Sequence, residues 1–149
     1  MSKYEEAGLI LKLYELRREE TMRKARDWYF REFHPESFDD YQKTMFGEHS
    51  GHLRMVLSYW EMAAALVNHG AIGLELFNDT NGEHLGVFSK IEPLLGQIRA
   101  DYSPQAFVNL EKLIDNTPGG REKVAAGRQR MNAIRAQMKA QQGAGPKTA

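Results

Sequence analysis

The sequence predicts an all-α protein, a compact bundle of about six helices with a central apolar helix and a basic C-terminal helix. Three observations lead to this prediction. Apolar residues recur at three- and four-residue steps along most of the 149-residue chain, which is the period of an α-helix. No segment alternates apolar and polar residues in the manner of a half-buried strand. The segment 52–69 is apolar on nearly all sides, as interior helices are.

Composition restricts the class of protein. Hydrophobic residues make up 42% of the chain and charged residues 27%, which is ordinary for a soluble globular domain. The sequence has no cysteine, which excludes disulfides, thiolate metal sites and cysteine nucleophiles. No stretch approaches about 20 uninterrupted apolar residues, and the N-terminal segment lacks the pattern of a signal peptide. We therefore expect a cytoplasmic protein, and no motif indicates a cofactor.

The N-terminal third predicts two helices. The first runs over 3–33, and the spacing of Ala7, Leu11 and Tyr14 places them on its apolar face. It ends there because a proline follows, and the residue before a proline disfavours the α conformation. A short helix with acidic residues in its first turns follows over 35–46.

The central helix, over 52–69, contains one acidic residue on the narrow polar line between its apolar stripes. That residue is Glu61, and a carboxylate on an interior helix needs a partner when it leaves water. Arg99 is the partner we expect, with Arg17 or Arg18 as alternatives. The predicted Glu61–Arg99 pair is structural: it fixes the register of two helices and takes no part in chemistry.

The remaining helices are predicted from breakers and apolar spacing. A short helical piece over 72–77 precedes a fifth helix over 83–102, in which Pro93 predicts a kink or a restart. Ser103 and Pro104 have the residue types that begin a helix. The next buried face consists of apolar residues at helical spacing, namely Phe107, Leu110, Leu113 and Ile114.

Charge and breakers divide the chain. The predicted parts are a helical core domain (1–117), a linker (118–120), a basic amphipathic helix (121–142) and a disordered tail (143–149). Before residue 121 the chain has 13 Lys and Arg against 19 Asp and Glu, a net charge of −6. From residue 121 it has 7 against 1, a net charge of +6. Such asymmetry predicts that the basic helix docks on an acidic body, in the same chain or in another.

Two regions are candidates for an interaction surface. Residues 28–34 contain four aromatic rings pointing in several directions, and the C-terminal helix has a narrow apolar line flanked by basic residues. Core packing is the alternative for the aromatic residues. The line is too narrow and too poor in bulky residues to favour lipid insertion. The candidate residues are Trp28, Phe30, Arg128, Met131, Arg135 and Met138.

A weak candidate metal site precedes the central helix. Glu48, His49 and His52 have spacing that could place a carboxylate and two imidazoles on one side of a helix. Neighbouring glycines weaken the case for a regular helix there, and no further ligand has suitable spacing. A surface or capping role for the histidines is the alternative, and we predict no metal.

The segments LSYWEMAAALVNHGAIGLELF and FSKIEPLLGQIRADYSPQAFVNLEKL resemble an all-helical bacterial domain of unknown function. Many members of that family have transmembrane helices ahead of the domain, whereas this chain has none. The resemblance implies a helical fold, and it supports the Glu61–Arg99 pair as a family feature. The matching positions are Ser58, Tyr59, Trp60, Glu61, His69, Gly70, Leu76, Phe77, Pro93 and Arg99.

These observations predict a non-enzymatic regulatory or protein-interaction domain, with no catalytic residue. Its expected partner is another protein or a second copy of the chain, which would make a homodimer. One alternative is binding of an anionic surface, nucleic acid or membrane, through the basic C-terminal helix. A further alternative is a metal or small-molecule site near Glu48, His49 and His52. Charge balance and the lack of a motif argue against nucleic acid, and any membrane association would be peripheral.

Overall fold

Helix α4 (Ser50–Asn68) lies at the centre of the fold in the computed structural model, which describes residues 2–143. Most of its apolar side chains, including Leu53, Val56 and Trp60, are almost completely buried, and the helix contacts others on several sides. Every regular element within the described residues is helical. The predicted all-α bundle with a central apolar helix is therefore confirmed.

The other helices surround α4 and are mostly short. A 3₁₀ turn, Glu92–Leu94, separates the sixth from the seventh. In chain order they are α1 (Lys3–Arg18), α2 (Glu20–Arg31), α3 (Phe38–Met45), α5 (Leu74–Thr80), α6 (Glu83–Ile91), α7 (Leu95–Asp101), α8 (Val108–Asn116) and α9 (Gly120–Gly143).

The prediction of one helix over 3–33 is wrong, because the helix is interrupted at Glu19. The backbone of this residue is extended (ψ 144°), and its carboxylate accepts hydrogen bonds from the N–H groups of Thr21 and Met22, each at 3.0 Å. Glu19 thus caps α2 and ends α1. The break also changes which face of α1 is buried: Leu13 is enclosed, whereas Leu11 remains 64% exposed.

The predicted interruption at Pro93 is present as the 3₁₀ turn between α6 and α7. Proline lacks the N–H that would continue the α-helical hydrogen bonds, and its ring crowds the preceding turn. The restart leaves Ile91 and Ile98 both buried, on opposite sides of the turn.

The segment predicted as a linker, 118–120, is a tight turn that directs α9 back onto the body. Gly119 has a positive φ of 65°, which favours glycine. Gly120 begins α9 and is buried against the end of α8. Val124 is also fully buried, so the first half of α9 packs on α6 and α8. The predicted tail, 143–149, falls outside the described residues except for Gly143, the last residue of α9.

Gly120→Ala is expected to destabilise the fold by about 3 kcal/mol. A β-carbon at this position would lie 2.0 Å from the carbonyl oxygen of Ile114, and backbone atoms cannot move aside as a side chain can. Gly127→Ala is the matched control in the same helix, because a β-carbon there meets no atom within 4 Å. That variant should be about 0.5–1 kcal/mol more stable. Urea unfolding of both variants measures the difference, and equal stabilities would contradict the predicted clash.

Candidate functional site

The two halves of α9 differ in their surroundings. In the first half, Arg121 donates to Asp115 (2.6 Å), Glu111 (2.8 Å) and Glu92 (2.6 Å). The hydrogen bond to Asp115, followed by those to the other two acids, raises the pKa of Arg121. Arg128 donates to Glu92 and, at 2.8 Å, to the carbonyl of Ser89. These contacts hold the first half of α9 on the body of the protein. They engage the guanidinium groups of Arg121 and Arg128 within the chain.

The second half of α9 is largely exposed. Ile134 is 49% exposed and Met138 is 55% exposed, and they lie four residues apart on one side of the helix. Arg135 and Lys139 lie beside them, and among residues 2–143 no carboxylate lies within ion-pair distance of either cation. Apolar and basic groups therefore stand side by side without partners from the described part of the chain.

A groove of about 530 Å³ separates this half of α9 from the end of α2. We call it the α9 groove. Four of the six predicted interaction residues line this groove. They come from two regions that lie more than 100 positions apart in the sequence. The residues that line the groove are Phe30, Arg31, His34, Met131, Ile134, Arg135, Met138, Lys139 and Gln142.

Lys90 of α6 lies beside the α9 groove and caps the C-terminal end of α2. Its ammonium donates to the carbonyls of Tyr29 and Phe33, both at 2.7 Å, and so satisfies acceptors that the end of a helix leaves unpaired. Burial, and to a lesser extent the nearby Arg135, lowers the pKa of Lys90 to about 7. Burial, followed by Lys90, also lowers the pKa of His34. Lys90 is not among the residues predicted from the sequence, although a lysine beside the buried apolar positions of α6 was the available signal.

The two remaining interaction candidates lie elsewhere. Trp28 is only 8% exposed and stacks on Phe33 and His49, with ring centroids 5.5 and 5.1 Å apart. Its assignment to a surface is therefore wrong, because the ring fills the space between α2 and the start of α4. Arg128 lies one helical turn before the α9 groove, where its guanidinium is held by Glu92.

The structure does not form the predicted Glu61–Arg99 pair. The carboxylate of Glu61 accepts hydrogen bonds from the backbone N–H groups of Asn109 (3.1 Å) and Leu110 (2.8 Å), and from the Asn109 amide. Arg99 instead pairs with Glu111 at 2.9 Å and donates to a loop carbonyl. The physical reason is the start of α8, where no side chain of the helix itself caps the N–H groups. Glu61 supplies that cap from α4.

The candidate metal residues do not come together as ligands. Glu48 has an 88% exposed side chain, whereas His49 and His52 stack with each other and lie against Trp28. Between residues 2 and 143, no group of three or more His, Asp or Glu side chains has an arrangement that would hold a metal ion. The stacking gives the two imidazoles a packing role at the start of α4.

None of the described helices combines the length and the apolar content needed to cross a bilayer. Among families of known sequence, the model of a domain of unknown function (DUF4760) matches residues 4–117. The match includes every position on which the sequence resemblance rests, and it ends before α9. No curated protein and no solved structure matches the chain.

Proposed function

The chain belongs to the DUF4760 family, and from that premise we propose that it is a non-enzymatic interaction domain whose α9 groove binds an acidic, amphipathic helix of a partner protein. The observation that supports this most strongly is the exposed apolar pair, Ile134 and Met138, set beside Arg135 and Lys139, which no described carboxylate neutralises. Cytoplasmic location and a homodimeric state, both expected from the sequence, remain predictions.

The apolar part of the proposal rests on helical spacing. Met131, Ile134 and Met138 lie at steps of three and four residues on α9, and Phe30 of α2 lines the opposite wall. A partner helix with apolar residues at i, i+3, i+4 and i+7 would place them in such a groove. Burying the exposed parts of Ile134 and Met138 would supply the hydrophobic driving force.

The charged part of the proposal selects the partner. From Lys123 to Gly143 the sequence has five basic residues and no acidic one, and Arg128 is the one held by Glu92. Arg135 and Lys139 therefore present positive charge along one side of the apolar line. Carboxylates beside the apolar face of a partner helix would complement them. This complementarity favours the orientation in which the opposite charges meet, and it speeds association.

The chemistry of the α9 groove supports a binding role over catalysis. No carboxylate lines the groove, and both ring nitrogens of its one imidazole, His34, are already engaged, by the Lys90 ammonium at 3.3 Å and the Arg31 carbonyl at 2.9 Å. The ammonium of Lys90 already donates to two carbonyls. These groups hold a geometry and a charge, which is what recognition of an acidic segment requires.

A labelled synthetic peptide tests the proposal. The probe has 18 residues, with leucines at i, i+3, i+4 and i+7 and glutamates beside them, and a scrambled peptide of the same composition is its control. Fluorescence anisotropy should give a dissociation constant on the order of 10 μM. Met138→Glu, or the double change Arg135→Glu and Lys139→Glu, should weaken binding at least tenfold. Higher salt should weaken it as well.

The controls separate this reading from its alternatives. Lys12→Glu changes an exposed cation on α1 and should leave peptide binding unchanged. Equal binding of the scrambled peptide would overturn the proposal, as would unchanged binding by the groove variants. Binding to vesicles that contain phosphatidylserine, without binding to the peptide, would replace the partner helix with an anionic membrane surface. A dimer seen by light scattering and abolished by Met138→Glu would replace it with a second copy of the chain.

A further inference from the structure

We propose that a second groove, formed by α3, α4 and the loop before α8, binds a small hydrophobic carboxylate. This inference is independent of the α9 groove and lies within the residues that the family model matches. We call it the Phe107 groove. Its principal lining residues are Tyr41, Arg54, Leu57, Ile98, Tyr102 and Phe107.

The size and walls of the Phe107 groove suit a small ligand. Its volume is about 570 Å³, within the range of about 300–1,000 Å³ that ligand pockets occupy. Leu57 and Ile98 form part of its buried wall. The rings of Tyr41 and Tyr102 meet edge to face, with centroids 5.9 Å apart, and Tyr102 remains 41% exposed. A ligand with an apolar body would cover this aromatic surface.

Phe107 is unusual both in its backbone conformation and as the N-cap residue of a helix. Its φ is +57°, and among residues 2–143 it is the one non-glycine residue with positive φ. A bulky residue in that region is strained. Phe107 is also the N-cap of α8, where Asn, Asp or Ser would supply a capping oxygen, and it supplies none. Such departures occur where a site needs a particular side chain, and the ring of Phe107 lines the groove.

Charge at the rim selects the ligand class. Arg54, Ser58 and Glu61 follow one another at steps of four and three residues on α4, and all three line the groove. The Glu61 carboxylate already accepts three hydrogen bonds from α8. The guanidinium of Arg54 is exposed and contacts only Ser50 within the described chain, at 3.3 Å. Arg54 is thus the group at the rim that can bind an anionic head such as a carboxylate.

Decanoate, used below its micellar concentration, is the probe, and decanol is the uncharged comparison. Isothermal titration should give one site for decanoate with at least tenfold weaker binding of decanol. Arg54→Ala should weaken the binding of decanoate at least tenfold and leave the binding of decanol unchanged. Phe107→Asn should weaken the binding of both ligands at least tenfold, because it removes the aromatic ring from the wall of the groove, while asparagine tolerates the positive φ and can cap a helix.

The Phe107→Asn variant distinguishes a ligand site from a structural aromatic residue. A purely structural Phe107 would give a variant that binds decanoate as the wild type does, and that result would overturn the proposal. So would wild-type protein that does not bind decanoate, or decanoate binding that Arg54→Ala leaves unchanged. Leu11→Asn changes an exposed apolar residue on α1 and is the matched control, which should bind decanoate as the wild type does.

Discussion

Lowering the pH from 7 to 4.5 should destabilise the fold by about 2 kcal/mol through His84 alone. This side chain is completely buried between Trp60 and Phe77, and neither of its ring nitrogens has a hydrogen-bond partner among residues 2–143. Burial lowers the pKa of His84 from 6.5 to about 4. A proton therefore binds the imidazole of the unfolded chain far more readily than that of the folded one.

The sign of the effect follows from that difference. Above pH 6.5 the imidazole is neutral in both states and pH does not matter. Between pH 6.5 and about 4 the unfolded chain takes up the proton and the folded protein does not, so stability falls as pH falls. Below about pH 4 both states are protonated at this position, and the loss through His84 is complete at about 3 kcal/mol.

His84→Leu isolates this contribution. The variant should be about 1–2 kcal/mol more stable at pH 7, because it removes two buried polar atoms that make no hydrogen bond within the described part of the chain. It should also lose most of the pH dependence between 6.5 and 4.5. Urea unfolding at a series of pH values measures both effects, and His69→Gln, at an exposed position, is the control. An unchanged slope in His84→Leu would show that another group causes the acid sensitivity.

Glu61→Ala should destabilise the fold by about 2–3 kcal/mol. The change removes the acceptor of two backbone N–H groups at the start of α8 and of the Asn109 side-chain amide. It leaves these donors in a partly buried place where Phe107 offers no substitute. Glu61→Gln keeps one carbonyl oxygen, so it should have about half the effect. Glu75→Ala, at an exposed position of α5, should change stability by less than about 0.5 kcal/mol.

A double-mutant cycle tests which pairing is real. Arg99→Ala and Glu111→Ala should show a coupling energy of at least about 0.5 kcal/mol, because their charged groups are 2.9 Å apart. Glu61→Ala and Arg99→Ala should be closer to additive. If instead Glu61 coupled more strongly to Arg99 than Glu111 does, the hydrogen bonds of Glu61 to α8 would not describe its role in solution.

Helical periodicity was sufficient for the elements whose buried face is also their most apolar face. Helix α4 is the clearest case, since apolar residues cover most of its circumference and nearly all of them are buried or half-buried. The interruption of the helix at Pro93 could likewise be predicted from the sequence, because the missing N–H is a property of the residue itself. In α1 the pattern failed: Tyr4, Leu11 and Tyr14 follow helical spacing as well as any buried set, yet they are exposed.

Partners of charged residues were harder to predict, because a carboxylate on an apolar helix indicates that a partner is needed without identifying it. Glu61 was correctly chosen as the acid that needs one. Its partner is backbone N–H groups of α8, which no side-chain pattern in the sequence marks. The same limit applies to Lys90, whose acceptors are carbonyls at the end of α2.

The amino-acid sequence alone determined the helical class, the apolar centre of the fold and the change of charge after residue 120, since each depends on residue type and spacing. Tertiary structure decided which residues meet: it placed Phe30 opposite Met138, set Glu61 against the start of α8, and left Phe107 at the wall of a groove. The physical reason is that burial and hydrogen bonding depend on how helices are rotated and on which chain ends lie beside them. Periodicity specifies a face of a helix but not its neighbour.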